Sequence, residues 1–574
     1  MIQPGTFRGL HSLKHLYIKH NKIKTVRSGL FKLHALRVLM LEFNEVTTLH
    51  NGAFNNTKLL VYLYLNGNQL KEVQSRAFEG LKKLRALHLT KSGLKRIGEI
   101  WFQDIPDLSY LMLNGNYMET LEPGTFNGLS SLNYLSIANN MITGLPGNIF
   151  NGSKNIEYIK IENNKLHTIE QGTFEGMGKL RELNLSYNQL EWIKGYEFLT
   201  LHSLTYLDLN KNKIKYIEPG AFKDLQALRN LYLKNNNLTV LPDGLFTKMK
   251  TLRSLDLSDN DINVIEESTF DDMQILTKLF LQNNNITYIR KGVFNNTGKA
   301  KIINVSRNSI ETLENGTFQA MYKLEQLDLS RNKIQHIQEG VFDDLIDLGN
   351  LELDGNELTD LDNRTFLNLR ALFSLSLSRN RLKFLPDGFF TGLIQLTTLV
   401  IYENEFTTIP RFDEGHLNNL FFGSNLIESL DNLKLMRNIS ELINVFFDNN
   451  RIERILNNTF KGATKLIAIS LTGNPLRVIE DGAFLSLPSL KIMLQSKDST
   501  TDIVIRGQNT NSQLVLITVG YICRDVAFDT YDCEPCNRGS FKSPSRQACE
   551  LCPPGKTQIL KYHETISGLI RVRA

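Results

Sequence analysis

An asparagine recurs every 24 residues along most of this chain, and that period constrains the fold more tightly than any other feature. The series reads Asn44, Asn68, Asn116, Asn140, Asn164 and Asn188 and runs on to Asn404, with Ser92 the one substitution. Around it lies the pattern L-x-x-L-x-L-x-x-N-x-L, as in LRNLYLKNNNL at 228–238 and LEQLDLSRNKI at 324–334. Asn21 opens the series one residue out of step, and Asn425, Asn450 and Asn474 close it at spacings of 21, 25 and 24. A fixed period of this length means stacked supersecondary units, none of which can bury a core alone.

Within each unit the leucines alternate with residues of any type, the period of a strand buried on one face. Each unit therefore supplies one short strand. A second column, Phe54, Phe78, Phe102, Phe126 and onward to Phe390, repeats at the same 24 and must stack behind the strands as a spine. A chain that turns after every strand strands backbone donors and acceptors, and an amide side chain can satisfy both kinds. The asparagine column is read as that ladder.

These motifs resemble the 24-residue leucine-rich repeats of extracellular proteins, and the likeness covers residues 1–494. The resemblance implies an α/β solenoid, a horseshoe of about 20 repeats with a parallel concave sheet and an arc on the order of 95 Å at the usual strand spacing. It extends to the repeat class of Toll-like receptors, Slit-type guidance proteins, lamprey-type lymphocyte receptors and matrix proteoglycans, so it implies binding of a macromolecule without choosing one. Two departures stand out. Repeats shorten and then lengthen over 405–450, where Phe422 and Phe447 take inward positions, which predicts a local change of curvature. The chain starts with half a repeat (PGTFRGL), without the cysteine-containing cap of related proteins, which predicts an incomplete first repeat and a longer parent protein.

Composition excludes several classes. With 41% hydrophobic and 22% charged residues the chain is not disordered, and no apolar run approaches the length of a membrane span. Net charge is +5, but residues 1–100 carry 17 Lys and Arg against 5 Asp and Glu, so a basic start precedes a mildly acidic body. No nucleophile with an oriented base, phosphate loop or H-E-x-x-H helix is present, so the reading is a non-enzyme without cofactor or metal. Nucleic acid is not an expected partner of so mixed a charge, and a membrane would be reached only through a segment outside this chain.

All five cysteines, Cys523, Cys533, Cys536, Cys549 and Cys552, lie at the C-terminal end. Spacing alone, two C-x2-C pairs twelve residues apart, reads as a zinc ribbon. The stretch CNRGSFKSPSRQACELCPPGKTQ instead resembles the cysteine-rich modules of ephrin-receptor-like extracellular regions, which implies disulfides. Pairing Cys536 with Cys549 and Cys523 with Cys533 would leave Cys552 for a cysteine further on; spacing does not choose it. The resulting domains are a solenoid over 1–494, a linker over 495–522, a truncated cysteine-rich module over 523–556 and a tail over 557–574.

Positions one period apart become neighbours on the outward strand face, about 5 Å from one another. One such column reads Tyr62, Ala86, Tyr110, Tyr134, Tyr158, Glu182 and Tyr206, and the next supplies Tyr64, His88 and Met112. Tyrosine offers large contact area with a polar tip, so Tyr62, Tyr64, His88, Tyr110, Met112, Tyr134 and Tyr158 are the candidate ligand surface; tyrosine is also simply a good strand residue. Beside it, Lys14, Lys19, Arg37, Arg85 and Lys91, with His15 and His20, form a basic patch suited to an acidic protein or sulfated glycan. Asp208, Asp256, Asp328 and Glu352 reverse the sign further along. Sequons at Asn55, Asn151, Asn237, Asn285, Asn295, Asn315, Asn363, Asn438 and Asn457 are candidate glycosylation sites, while those at Asn184 and Asn304 fall on the strand face. Together these describe an extracellular recognition protein: receptor ectodomain, adhesion or matrix protein, binding a protein or acidic glycan. The alternatives are the sensor part of an enzyme-linked transmembrane receptor, or an intracellular scaffold with a zinc-bound tail.

Overall fold

The structure is a computed structural model that describes residues 2–490, except Pro4, Glu99, 413–415, 436–438, Asp481 and 485–486. Beyond residue 490 it describes the strands 492–496, 504–505, 516–519, 540–542 and 549–551. The chain falls into two compact units: Met1–Ser376 with Thr391–Gln395, and Leu377–Phe390 with Leu396–Ala574.

The first unit is a parallel-strand solenoid. Sixteen three-residue strands, from His15–Tyr17 to Ser374–Ser376, pair in sequence order. The first pair is offset by 23 residues (His15 opposite Val38) and the next by 24 (Val38 opposite Tyr62), which places Asn21 one residue out of step without disturbing the sheet. From the second strand on, the central residue of each strand, among them Leu63, Leu87, Leu111, Leu135 and Ile159, is buried and its two neighbours face outward; Leu16 of the first strand is half-buried.

The asparagines form the expected ladder. Asn68 Nδ2 donates to the carbonyls of Leu41 (3.0 Å) and Leu65 (2.8 Å), while its Oδ1 accepts the Val46 amide at 3.0 Å. One side chain thus ties its own strand end to the preceding repeat. Ser92, the exception, keeps half of this: its Oγ donates to the Leu65 carbonyl at 3.0 Å. It has no amide oxygen, and the Ser92 backbone carbonyl accepts the Leu70 amide instead, at 2.7 Å.

Immediately before each ladder residue the chain takes a positive φ, as at Phe43 (54°), Lys91 (51°), Tyr187 (54°) and Arg331 (53°). Most of these residues are not glycine. Each is held left-handed because the ladder fixes the backbone on both sides. Their side chains leave along one edge of the strands.

The phenylalanines fill the opposite side. Phe102, Phe126, Phe150 and Phe174 stack in turn at centroid separations of 6.4, 5.6 and 5.8 Å. Burying each such ring stabilises the stack by roughly 1.5–3 kcal/mol. Among the described residues no α-helix joins the strands, which departs from the α/β expectation: turns, two-residue strands such as Trp192–Ile193 and the 3-10 helix Glu267–Phe270 do so. After strand, ladder and phenylalanine turn, a 24-residue repeat has too few residues left for one. In many repeats the turn before the phenylalanine holds a left-handed glycine, such as Gly244 (φ +71°) or Gly292 (φ +89°); Ser268 stands in that place here, as Arg76, Tyr196 and Arg364 do in repeats that keep an ordinary turn.

The second unit repeats the plan with variable lengths. Its strands Thr398–Val400, Asn419–Phe421, Asn444–Phe446 and Ala468–Ser470 pair parallel at offsets of 21, 25 and 24 residues. Asn425, Asn450 and Asn474 continue the ladder, with Oδ1 accepting the amides of Phe406 (3.2 Å), Ile427 (3.0 Å) and Ile452 (3.0 Å). Phe422 and Phe447 point inward and are fully buried, 6.2 Å apart. Cys523, Cys533, Cys536 and Cys552 lie outside the described residues. Cys549 opens the strand Cys549–Leu551, antiparallel to Ser540–Lys542.

Candidate functional site

Because each strand of the first unit registers on the next without slippage, the outward columns read from the sequence become physical rows. Tyr62, Ala86, Tyr110, Tyr134, Tyr158, Glu182 and Tyr206 lie opposite one another on consecutive strands. Tyr110, Tyr134 and Tyr158 form a stacked ladder, with 6.1 Å between successive centroids and planes inclined by 29°. Stacking half-buries Tyr134 and Tyr158, whereas Tyr110 stays 50% exposed and Tyr62 41% exposed. Ala86, only 4% exposed, separates Tyr62 from the ladder. The row is therefore a block of three rings with a separate ring on either side, Tyr62 beyond Ala86 and Tyr206 beyond Glu182.

In the second row Tyr64 stacks on His88 at 4.5 Å, and Met112 follows on the next strand. Burial pushes the His88 imidazole below its usual range, against the opposing pull of Glu42, so the ring is neutral at pH 7. The row then passes through buried Ser136 to Lys160. The Lys160 ammonium lies 6.0 Å from the Tyr134 centroid and 3.4 Å from Glu182, which pins a cation at the ladder's flank.

The five basic residues do not gather in one patch. Lys14, Arg37 and Arg85 each directly precede a strand, whereas Lys19 and Lys91 sit beyond the strand ends. Lys19 is paired with Glu42 at 2.9 Å, and the other four are exposed. The start of the solenoid thus presents aromatic rings between two rows of cations.

Sequence columns did not disclose the left-handed edge. Phe43, 52% exposed, stacks on His20 at 4.7 Å, and the Lys211 ammonium lies 4.5 Å from the exposed Tyr187 ring. The signal was present as the residue before each ladder asparagine, a position that constrains φ but not chemistry.

The acidic residues further along have a structural task. Asp256 Oδ1 accepts from the Ser258 amide (3.0 Å) and hydroxyl (2.6 Å), and Asp328 does the same with Ser330 (3.0 and 2.7 Å). Asn184 with Ser186, and Asn304 with Ser306, repeat that geometry, so the two strand-face sequons coincide with a local fold motif. Glu352 is pushed up to about 7 by burial and then by the charge of Asp328. The remaining described sequon asparagines are exposed, and Asn438 lies outside the described residues. Their hydroxyls are not free: Thr57, Thr297 and Thr317 are buried and donate to the carbonyl three residues back.

On the phenylalanine side, Glu197 occupies the position that Thr173 and Thr317 take in their repeats. It is 6% exposed, and its Oε2 has no hydrogen-bond partner among the described residues. Burial pushes its carboxyl up to about 7, against the backbone amides of Lys194 and Glu197. The folded state therefore holds this proton more tightly than the unfolded chain. The associated stability is complete below about pH 4.5 and is lost as pH rises through about 7, a swing on the order of 3 kcal/mol. Glu197→Gln should flatten this part of the stability curve and raise the melting temperature at pH 8 but not at pH 4.5. Calorimetry on both chains checks this, and parallel curves would disprove the assignment.

A parallel solenoid with a continuous outward strand face and a periodic polar ladder defines a repeat scaffold. The chain belongs to the leucine-rich repeat family. Leucine rich repeat profiles match residues 1–45, 34–94, 82–142, 130–190, 193–238, 226–286, 275–334, 323–382 and 374–422, and a BspA type leucine rich repeat region matches 411–504. No curated protein matches the chain. Among solved structures, a complex of Toll with Spatzle from Drosophila, in its glycosylated form, is similar at 17% identity and TM-score 0.61, over 86% of this chain and 84% of that one. A leucine-rich-repeat protein of Leptospira interrogans matches at 23% identity and TM-score 0.55, over 72% and 95%. A TLR13–ssRNA13 complex matches at 22% identity and TM-score 0.50, over 85% and 88%. These likenesses concern the fold.

Proposed function

We propose that this protein is a non-catalytic extracellular recognition protein that binds a protein ligand on the outward strand face of its first unit, as a receptor ectodomain, adhesion or matrix protein. The observation that carries the reading is the stacked ladder Tyr110, Tyr134 and Tyr158 with Lys160 at its flank. Pre-stacked rings lose little side-chain freedom on binding, and half-exposed tyrosines are characteristic anchors of protein interfaces. The similar solved structures hold a protein ligand in one case and single-stranded RNA in another, so the scaffold accommodates either. The rows of Lys14, Arg37, Arg85 and Lys91 beside Tyr62 and Tyr64 favour an acidic glycan or acidic protein segment as a second ligand at the start of the unit.

The test uses the immobilised chain to recover partners from extracellular fluid of the source tissue. Tyr110→Ala with Tyr134→Ala should weaken retention of the recovered partner by at least about tenfold, as loss of interface anchors does, with an unchanged melting temperature. Equal retention by both chains would reject the ladder as the binding surface.

A further inference from the structure

An open cavity of about 510 Å³ lies on the phenylalanine side of the first unit, in the size range of small-molecule sites. The 3-10 helix Glu267–Phe270 supplies Glu267. The preceding repeat adds Asp243, and the following one adds Arg290, Asn295 and Asn296. Carboxylates alone would define nothing here. Asp243 already accepts the Ser268 hydroxyl (3.3 Å), and Glu266 is paired with Arg290 at 3.5 Å.

The distinguishing member is Asn295, the acceptor of the sequon Asn295-Asn296-Thr297. Of the sequon asparagines, it is the one that lines this cavity. The buried Thr297 hydroxyl donates to the Phe294 carbonyl, which explains the threonine through the fold. The exposed asparagine has no comparable structural cause. Its amide and the Glu267 carboxylate converge above Gly292, where an added Cβ would lie 2.9 Å from Glu267 Oε1 and 3.3 Å from Asn295 Nδ2.

We propose that Asn295 carries an N-linked glycan whose first N-acetylglucosamine seats in this cavity, a reading that rests on passage through the secretory route. Transfer joins Asn295 Nδ2 to C1 of an oligosaccharide carried on a lipid pyrophosphate. The C1–O bond to the pyrophosphate breaks, the pyrophosphate leaves with the electron pair, and the amide gives up one proton. The attached sugar then meets complementary groups. Its hydroxyls and acetamido N–H donate to Glu267 and Asp243, and its acetyl carbonyl accepts from Arg290 or Asn296. Glycans on Asn55 or Asn151 would start from exposed turns that do not line this cavity.

The experiment secretes the full chain from eukaryotic cells, maps occupancy by glycopeptide mass spectrometry, and follows enzymatic release of each glycan from the native protein. Asn295 should be occupied, and its glycan should be released on the order of tenfold more slowly than that of Asn55, the ratio expected of one modest contact. Glu267→Ala with Asp243→Ala, both exposed positions outside the core, should remove the difference without changing occupancy. Equal release rates in the wild-type chain would overturn the seating. An empty Asn295 beside occupied Asn55 and Asn151 would overturn the site while leaving the extracellular reading intact. A chain secreted with no sequon occupied would remove both.

Discussion

Phe126→Ala should cost about 3–5 kcal/mol, the range for removing a buried aromatic ring from a core that cannot collapse around the hole. Phe126 is fully buried and stacks on Phe102 at 6.4 Å and on Phe150 at 5.6 Å, so its loss exposes two ring faces at once. Because each repeat touches only its neighbours, the damage should be local. Hydrogen exchange should show lost protection in the strands Tyr110–Met112 and Tyr134–Ser136, with Asn350–Glu352 unaffected. A uniform loss along the unit would mean that its repeats unfold as one block.

Asn116→Ala should be nearly as severe. Its Oδ1 accepts two amides, Ser92 (2.9 Å) and Leu94 (3.0 Å), and its Nδ2 donates to Leu89 (2.8 Å) and Leu113 (2.7 Å). Four buried backbone groups lose their partner, each at about 1–3 kcal/mol when unsatisfied, though relaxation and water entry keep the total below the sum. A destabilisation of roughly 3–4 kcal/mol is expected from denaturant unfolding. Asn116→Leu separates the causes: it fills the space without restoring the bonds, and it should be no milder. Were leucine to rescue stability, packing rather than hydrogen bonding would be the asparagine's role.

Most of what these two residues do is legible in the sequence. Leucine alternation located the strands, the 24-residue step located the ladder, and the aromatic column located the spine, because each is a periodic answer to a periodic packing problem. The outward tyrosine row was legible for the same reason. What escaped was whatever depends on the third dimension within one repeat. The basic residues were close in sequence but separate to opposite ends of the strands, because Arg85 precedes its strand and Lys91 follows it. The burial of Glu197 gave no sequence signal beyond standing where related repeats place threonine. The cavity beside Asn295 depends on how the outer turns of three consecutive repeats stand side by side, which no single repeat discloses.

The ladder has a further consequence. Strand offsets of 21, 25 and 24 residues in the second unit end in the same pairing, because each asparagine measures its distance to the adjacent strand and not the length of chain between them. Surplus or missing residues are taken up in the outer turns. Length can therefore vary in those turns without moving the strands, whereas a change in a strand or ladder residue acts on the packing itself, so length and sequence are constrained on different parts of the same repeat.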